Sequence, residues 1–125
     1  MLEPIKTIEL FQKSPSPKTF SAGSIIFQEG ECGDVIYGII SGEVEILVDG
    51  KVVETIQKGD VFGEGSLIHL DRQRDSRAIA KTDSLLAFLD REHFMFAVQQ
   101  TPMFALEVMK SYSDRLRRLR HKIAI

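Results

Sequence analysis

The sequence predicts a mainly β fold flanked by α-helices, and three observations carry that prediction. All nine glycines of the chain fall between Gly23 and Gly65, spaced among short β-branched and aromatic runs, a punctuation that reads as many short strands between Lys18 and about Asp90. Within that stretch Gly42–Val48 and Lys51–Ile56 are joined by Asp49-Gly50, a strong two-residue hairpin signal, and Val44, Ile46 and Val48 share one face. Both ends of the chain change to helical spacing. At 125 residues, 43% hydrophobic and 27% charged, the chain has room for one domain with one core.

The elements follow in order. Pro4 to Gln12 place Ile5, Ile8 and Leu10 or Phe11 at helical spacing, with Pro4 tolerated in the first turn. Ser14-Pro15-Ser16-Pro17 stops that helix, because each proline lacks an amide hydrogen and pushes its predecessor away from helix. After the strands, Ser84–Leu89 is a last apolar run, and Asp90 is positioned to cap a helix through Arg91–Val98. Thr101-Pro102 repeats the signal, a cap residue then a proline, ahead of a long helix to about Ile123. In that helix Ala105, Met109, Tyr112, Leu116, Leu119 and Ile123 form an unbroken heptad stripe, while Phe104 and Val108 mark a second face. One stripe packing on the chain's own strands would leave the other for a partner, so a homodimer through the last helix is expected; both faces packing internally is the alternative. The single domain 1–125 thus divides into a helical lead and linker at 1–17, strands at 18–90 and C-terminal helices at 91–125.

Charge is unevenly spread. Residues 1–101 carry 10 Lys/Arg against 16 Asp/Glu, and residues 102–125 carry 6 against 2. An acidic body argues against a general nucleic-acid binder. The basic run Arg115–Lys122 would suit nucleic acid, membrane lipid or an acidic partner, and equally complements the dipole at a helix C-terminus. No apolar run is long enough to span a membrane, and the start Met1–Lys6 lacks a signal-peptide layout. With a lone cysteine, Cys32, a reducing, cytoplasmic setting is expected.

Chemistry concentrates in Gly59–Ala80, where a glycine turn, a short helical piece and an arginine-rich loop interrupt the strands. Gly63 and Gly65 permit close backbone approach, and the amides of Glu64, Gly65 and Ser66 would open a short helix whose N–H groups converge on an anion. Arg74 adds a charge-assisted, bidentate phosphate partner. A carboxylate such as Glu64 beside a phosphate is repulsive unless it accepts from a neutral donor, a sugar hydroxyl for instance, so the pairing suggests a sugar phosphate or nucleotide. A tight turn without a ligand is the plain alternative. His69 has no second histidine nearby for a metal site, and Ser66, His69 and Asp71 lack an oxyanion arrangement; neither a metal nor an enzymatic activity is expected.

Taken together, Phe20-x-Ala22-Gly23-x-x-Ile26-Phe27-x-x-Gly30, Gly33-Asp34-x-x-Tyr37-x-Ile39-x-x-Gly42-x-Val44-x-Ile46, Gly59-Asp60-x-Phe62-Gly63-Glu64 and Arg74 followed by Ala80 resemble a cyclic nucleotide-binding domain of the catabolite activator protein superfamily. The resemblance implies an antiparallel β-roll, a double-stranded β-helix, with an N-terminal helix and two C-terminal helices. It implies that Glu64 accepts from the ribose 2′-hydroxyl, that the amides of Gly65 and Ser66 hold phosphate oxygens, that Arg74 pairs with the phosphate and that Gly63 lets the backbone turn. Two departures stand out. Asp75 follows the phosphate arginine where Ser, Thr or Ala is common; it would repel a phosphate, turn toward Arg72 or Arg77, or accept from a base amino group. Where the last helix of such domains offers a polar side chain to the base, this chain has Leu119 flanked by Arg118 and Arg120, arginines able to stack on a purine.

The expectation is a stand-alone cytoplasmic receptor for a cyclic nucleotide, cAMP ahead of cGMP, that couples ligand binding to movement of the C-terminal helices and so to an unidentified effector protein. The alternative is a ligand-degenerate β-roll serving as a protein-interaction module. Family members that regulate transcription carry a DNA-binding domain after the last helix, and with Ile125 ending this sequence no sequence-specific DNA binding is expected.

Overall fold

The computed structural model describes residues 4–11 and 17–124. Eight strands and four helices run in the order α1 (Pro4–Phe11), β1 (Lys18–Phe20), β2 (Ile25–Phe27), β3 (Val35–Ser41), β4 (Val44–Val48), β5 (Lys51–Ile56), β6 (Val61–Phe62), α2 (Gly65–Ile68), β7 (Arg77–Ala80), β8 (Ser84–Asp90), α3 (Arg91–Gln100) and α4 (Met103–Ile123) among these residues. The strands form two four-stranded antiparallel sheets, ordered β1-β8-β3-β6 and β2-β7-β4-β5. This is the expected β-roll with helices at both ends. The expected break at Ser14 to Ser16, like Gln12, lies outside the described residues.

The hairpin forms where Asp49-Gly50 predicts it, with Val48 opposite Lys51. Both turn residues have positive φ, 51° at Asp49 and 77° at Gly50, the pair of left-handed conformations that a tight, right-twisted hairpin demands. Asp90 caps α3 as expected, its carboxylate accepting from the His93 amide at 2.8 Å. The start of α4 departs from expectation. Its N-cap is Pro102, no side chain caps it, and Thr101 works through its backbone, donating to the Ala97 carbonyl and accepting from the Phe104 amide, both at 2.9 Å. The proline's φ of −56° is already helical, so the first turn is set by the ring rather than by the threonine hydroxyl.

Strands β3 and β8 are buried on both faces and so divide the apolar interior into two clusters. Tyr37, Ile39 and Leu86 point into the roll with Phe27, Val44, Ile46, Ile56, Phe62 and Ala78. Ile36, Ala87 and Leu89 point the other way, against Ile8, Val61, Leu67, Ala97 and Phe104, where the helices dock. Gly38 on β3 makes room for α1, since a Cβ there would lie 2.6 Å from Ile5 Cδ1.

On α4 the face carrying Phe104 and Val108 is the one that packs on the chain, and it continues through Ser111 and Arg115 at helical spacing. The heptad stripe splits. Tyr112 and Leu119 are half-buried, whereas Met109, Leu116 and Ile123 are 64%, 49% and 81% exposed.

Candidate functional site

A cavity of about 470 Å³ opens between the roll, α2 and α4. Its lining includes the six residues of the glycine turn and arginine loop expected to meet or adjoin a phosphate: Gly63, Glu64, Gly65, Ser66, Arg74 and Asp75. Phe27, Ile46, Val48 and Phe62 supply apolar wall from the strands, and Tyr112, Arg115, Leu116 and Leu119 close it from α4.

The turn after β6 is built for close approach. Gly63 has φ of 87°, and a Cβ there would fall 2.9 Å from Arg74 Nη1. Glu64 then enters α2 in helical conformation, and the first intrahelical bonds, Leu67 to Glu64 and His69 to Gly65, leave the Gly65 and Ser66 amides at the start of the helix, ahead of its ladder. The buried Ser66 hydroxyl is shared between the carbonyls of Val35 and Gly63, both at 3.1 Å.

Arg74 is only 6% exposed, an uncommon position for a guanidinium. Its Nη1 donates to the Gly63 carbonyl at 2.9 Å and its Nη2 to the Val35 carbonyl at 3.1 Å. Its Cζ lies 4.1 Å from the Phe27 ring centroid, and Phe27, Tyr37 and Phe62 form an aromatic cluster beside it. Gly33 is the opposite wall, for a Cβ there would sit 2.3 Å from Arg74 Nε. Neither Glu64 nor Asp75 forms an ion pair with Arg74 among the described residues, and its buried Nε has no hydrogen-bond partner there. Burial pulls the guanidinium pKa below its ordinary value, and the surrounding Tyr37, Asp34, Glu31 and Glu64 draw it back up. The cation is held by neutral carbonyls and a ring, so its charge is not spent on an internal anion.

Asp75 is exposed at the cavity edge. It does not turn to Arg72 or Arg77: the Arg77 Nε donates instead to Gln28 Oε1 at 2.9 Å, and no contact of Asp75 with Arg72 forms among the described residues. Of the three α4 candidates, Leu119 lines the cavity, Arg118 reaches Asp60 at 2.7 Å outside it, and Arg120 is exposed and away from the lining.

Sequence reasoning missed the polar residues that α4 brings to the wall. Arg115 donates from Nε and Nη2 to the Glu54 carboxylate at 2.7 and 2.8 Å, and from Nη1 to the Val61 carbonyl at 2.7 Å. Burial lowers its pKa, and the hydrogen bond with Glu54 together with the electrostatic influence of Tyr112, Glu54 and Glu64 more than offsets that, holding it above its ordinary value. Tyr112 lies under the Arg115 guanidinium at 4.6 Å and accepts from the Glu64 amide at 3.4 Å. Its phenol is pushed well up, first by burial and then by the Glu64 charge. A single signal pointed this way: Arg115 continues the Phe104, Val108, Ser111 face, where a charged residue needs a buried partner.

The family model described as the cyclic nucleotide-binding domain matches residues 17–101. The cAMP-dependent protein kinase regulatory subunit of Schizosaccharomyces pombe is 43% identical over 76 residues, which are 60% of this chain and 18% of that protein. The cGMP-dependent protein kinase of Eimeria tenella is 34% identical over 82 residues, 66% of this chain and 8% of that one. The chain therefore spans less than a fifth of either relative. Among solved structures, the catabolite activator protein of Thermus thermophilus shares the fold, with a TM-score of 0.75 at 23% identity over 99% of this chain and 59% of that chain. No described helix is long and apolar enough to cross a membrane.

Proposed function

Because the chain belongs to the family of cyclic nucleotide-binding domains, we propose that its cavity receives a cyclic nucleotide, cAMP in preference to cGMP, and that occupancy is passed through α4 to an effector protein. Arg74 carries the reading: a buried cation lining a cavity, bonded to carbonyls and in no ion pair among the described residues, fits an incoming phosphate. The Gly65 and Ser66 amides add donors to the same phosphate, Glu64 accepts from a ribose hydroxyl, and Gly63 lets the turn close. The base lies toward Leu119, among the apolar residues of β4 and α4. The relative of 43% identity is named for cAMP and that of 34% for cGMP, which puts cAMP first. The domain acts as a regulatory module in the cytoplasm, without catalysis or a metal. Its open α4 edge joins two copies, and sedimentation that finds a monomer at every concentration overturns that dimer.

Calorimetric titration of nucleotide-free protein with cAMP, then cGMP, tests the proposal. Micromolar binding is expected; no binding by folded protein makes the second reading, a ligand-degenerate interaction module, the better one. Asp75 is the observation that favours this second reading, since its carboxylate stands at the cavity edge with no ion-pair partner among the described residues. Under the nucleotide reading Asp75→Ser is expected to tighten cAMP about two- to fivefold at low salt, the scale of an exposed charge interaction. Weaker binding by that variant would instead make Asp75 a recognition residue.

Gly33 provides an independent check. Its φ is not in the left-handed region, so Gly33→Ala brings no backbone strain, only a methyl placed against the Arg74 guanidinium. The variant is expected to fold and to lose about tenfold or more in cAMP affinity by displacing Arg74. Affinity equal to the parent's would show that Arg74 need not be where it is.

A further inference from the structure

The α4 wall of the cavity is tied to the roll by a contact that the nucleotide reading leaves without a task. Arg115 reaches across 61 residues of sequence to Glu54 on β5 through two N–H to oxygen bonds of 2.7 and 2.8 Å, with both side chains about nine-tenths buried. Its third arm donates to Val61 on β6. An ion pair so buried adds little net stability, because desolvating two charges costs about what their attraction returns. What it does supply is direction: a planar fork holding three bonds allows one placement of the guanidinium. On the face of that guanidinium lies the Tyr112 ring, and the Tyr112 oxygen accepts from the amide of Glu64. Glu54, Glu64, Tyr112 and Arg115 all line the same cavity.

We infer that Glu54 and Arg115 are positioning residues for the nucleotide: Glu54 fixes Arg115, Arg115 orients the Tyr112 ring, and Tyr112 braces the Glu64 turn, so the α4 wall is in place before ligand arrives. The inference rests on the nucleotide reading of the cavity. A wall set in advance reduces the ordering cost of binding and slows escape.

Arg115→Met alone strands a buried carboxylate, so the decisive variant combines Glu54→Leu with Arg115→Met, which removes both charges at similar volume. It is expected to melt at or above the parent's temperature yet release cAMP about tenfold faster, as the oriented Tyr112 contact is lost. In the nucleotide-free chain, amide hydrogen exchange from Ser111 to Leu119 is expected to quicken. Arg115→Lys, which keeps the charge without the fork, is expected to fall between parent and double variant and supplies the test if the double variant folds poorly. Parent-like release from both folded variants overturns the positioning role, and parent-like exchange overturns the hold on α4. If the parent binds neither cAMP nor cGMP while α4 exchange still quickens in the variants, the nucleotide reading fails and the hold on α4 stands.

Discussion

Arg74→Leu is expected to weaken cAMP binding by about 1.5–3 kcal/mol, roughly 10- to 150-fold in Kd, the scale of a hydrogen bond to a charged group. The loss falls on the ligand rather than on the fold. Leucine can still rest on Phe27, and the two carbonyls that Arg74 leaves, those of Gly63 and Val35, are within reach of the Ser66 hydroxyl. The fold gives up a buried cation whose Nε has no partner among the described residues, which limits the stability cost further. Thermal melting in the absence of nucleotide should therefore move little while calorimetric affinity collapses. Arg74→Lys keeps the charge but loses the fork and should recover only part of the affinity. An unchanged Kd in Arg74→Leu would remove this residue from the phosphate site.

Phe104→Ala is expected to produce the largest loss of stability, about 3–5 kcal/mol as for other buried aromatics cut to alanine. Phe104 is wholly buried at the start of α4, its ring 5.2 Å from that of Phe94 on α3, in the cluster that also takes Ile8 of α1 and Leu89 of β8. A void there loosens three helices from the roll at once. Set against the roughly 5–15 kcal/mol that a domain of this size possesses, the change should lower Tm by about 10–20 °C. Tyr112 and Arg115 ride on the same helix, so nucleotide affinity should fall as well, although Phe104 is not among the cavity-lining residues. A Tm within about 3 °C of the parent's would mean that this cluster does not seat α4.

Features whose causes lie within a few residues of one another were legible in the sequence. Asp49-Gly50 dictates its hairpin because the two-residue turn needs consecutive left-handed conformations, and Asp90 dictates the start of α3 because its carboxylate reaches an amide three residues on. Gly63, Glu64, Gly65, Ser66, Arg74 and Asp75 converge on one cavity because the turn and the loop that carry them are separated only by α2. The pairing of Arg115 with Glu54 could not be read, since it joins α4 to β5 across 61 residues and periodicity treats an arginine as a solvent residue. Arg74's acceptors were equally hidden: backbone carbonyls have no side-chain signature, and both Val35 and Gly63 are brought to it by the fold. Gly33 gains its meaning only when Arg74 lies against it.

The divided stripe on α4 makes that helix answer to two sides at once. Tyr112 and Leu119 look into the cavity, Met109 and Ile123 look outward, and Leu116 belongs to both, lining the cavity while about half exposed. Whatever fills the cavity and whatever clasps the outer edge thus press on one rod, and a rod pressed from one side changes its fit to the other. Reciprocity then requires that each occupant alter the other's affinity by the same factor. If the cavity takes a nucleotide and the outer edge takes a second copy, as proposed, nucleotide affinity becomes a function of what α4 is touching, and a titration at one protein concentration would report one point on a surface rather than a constant.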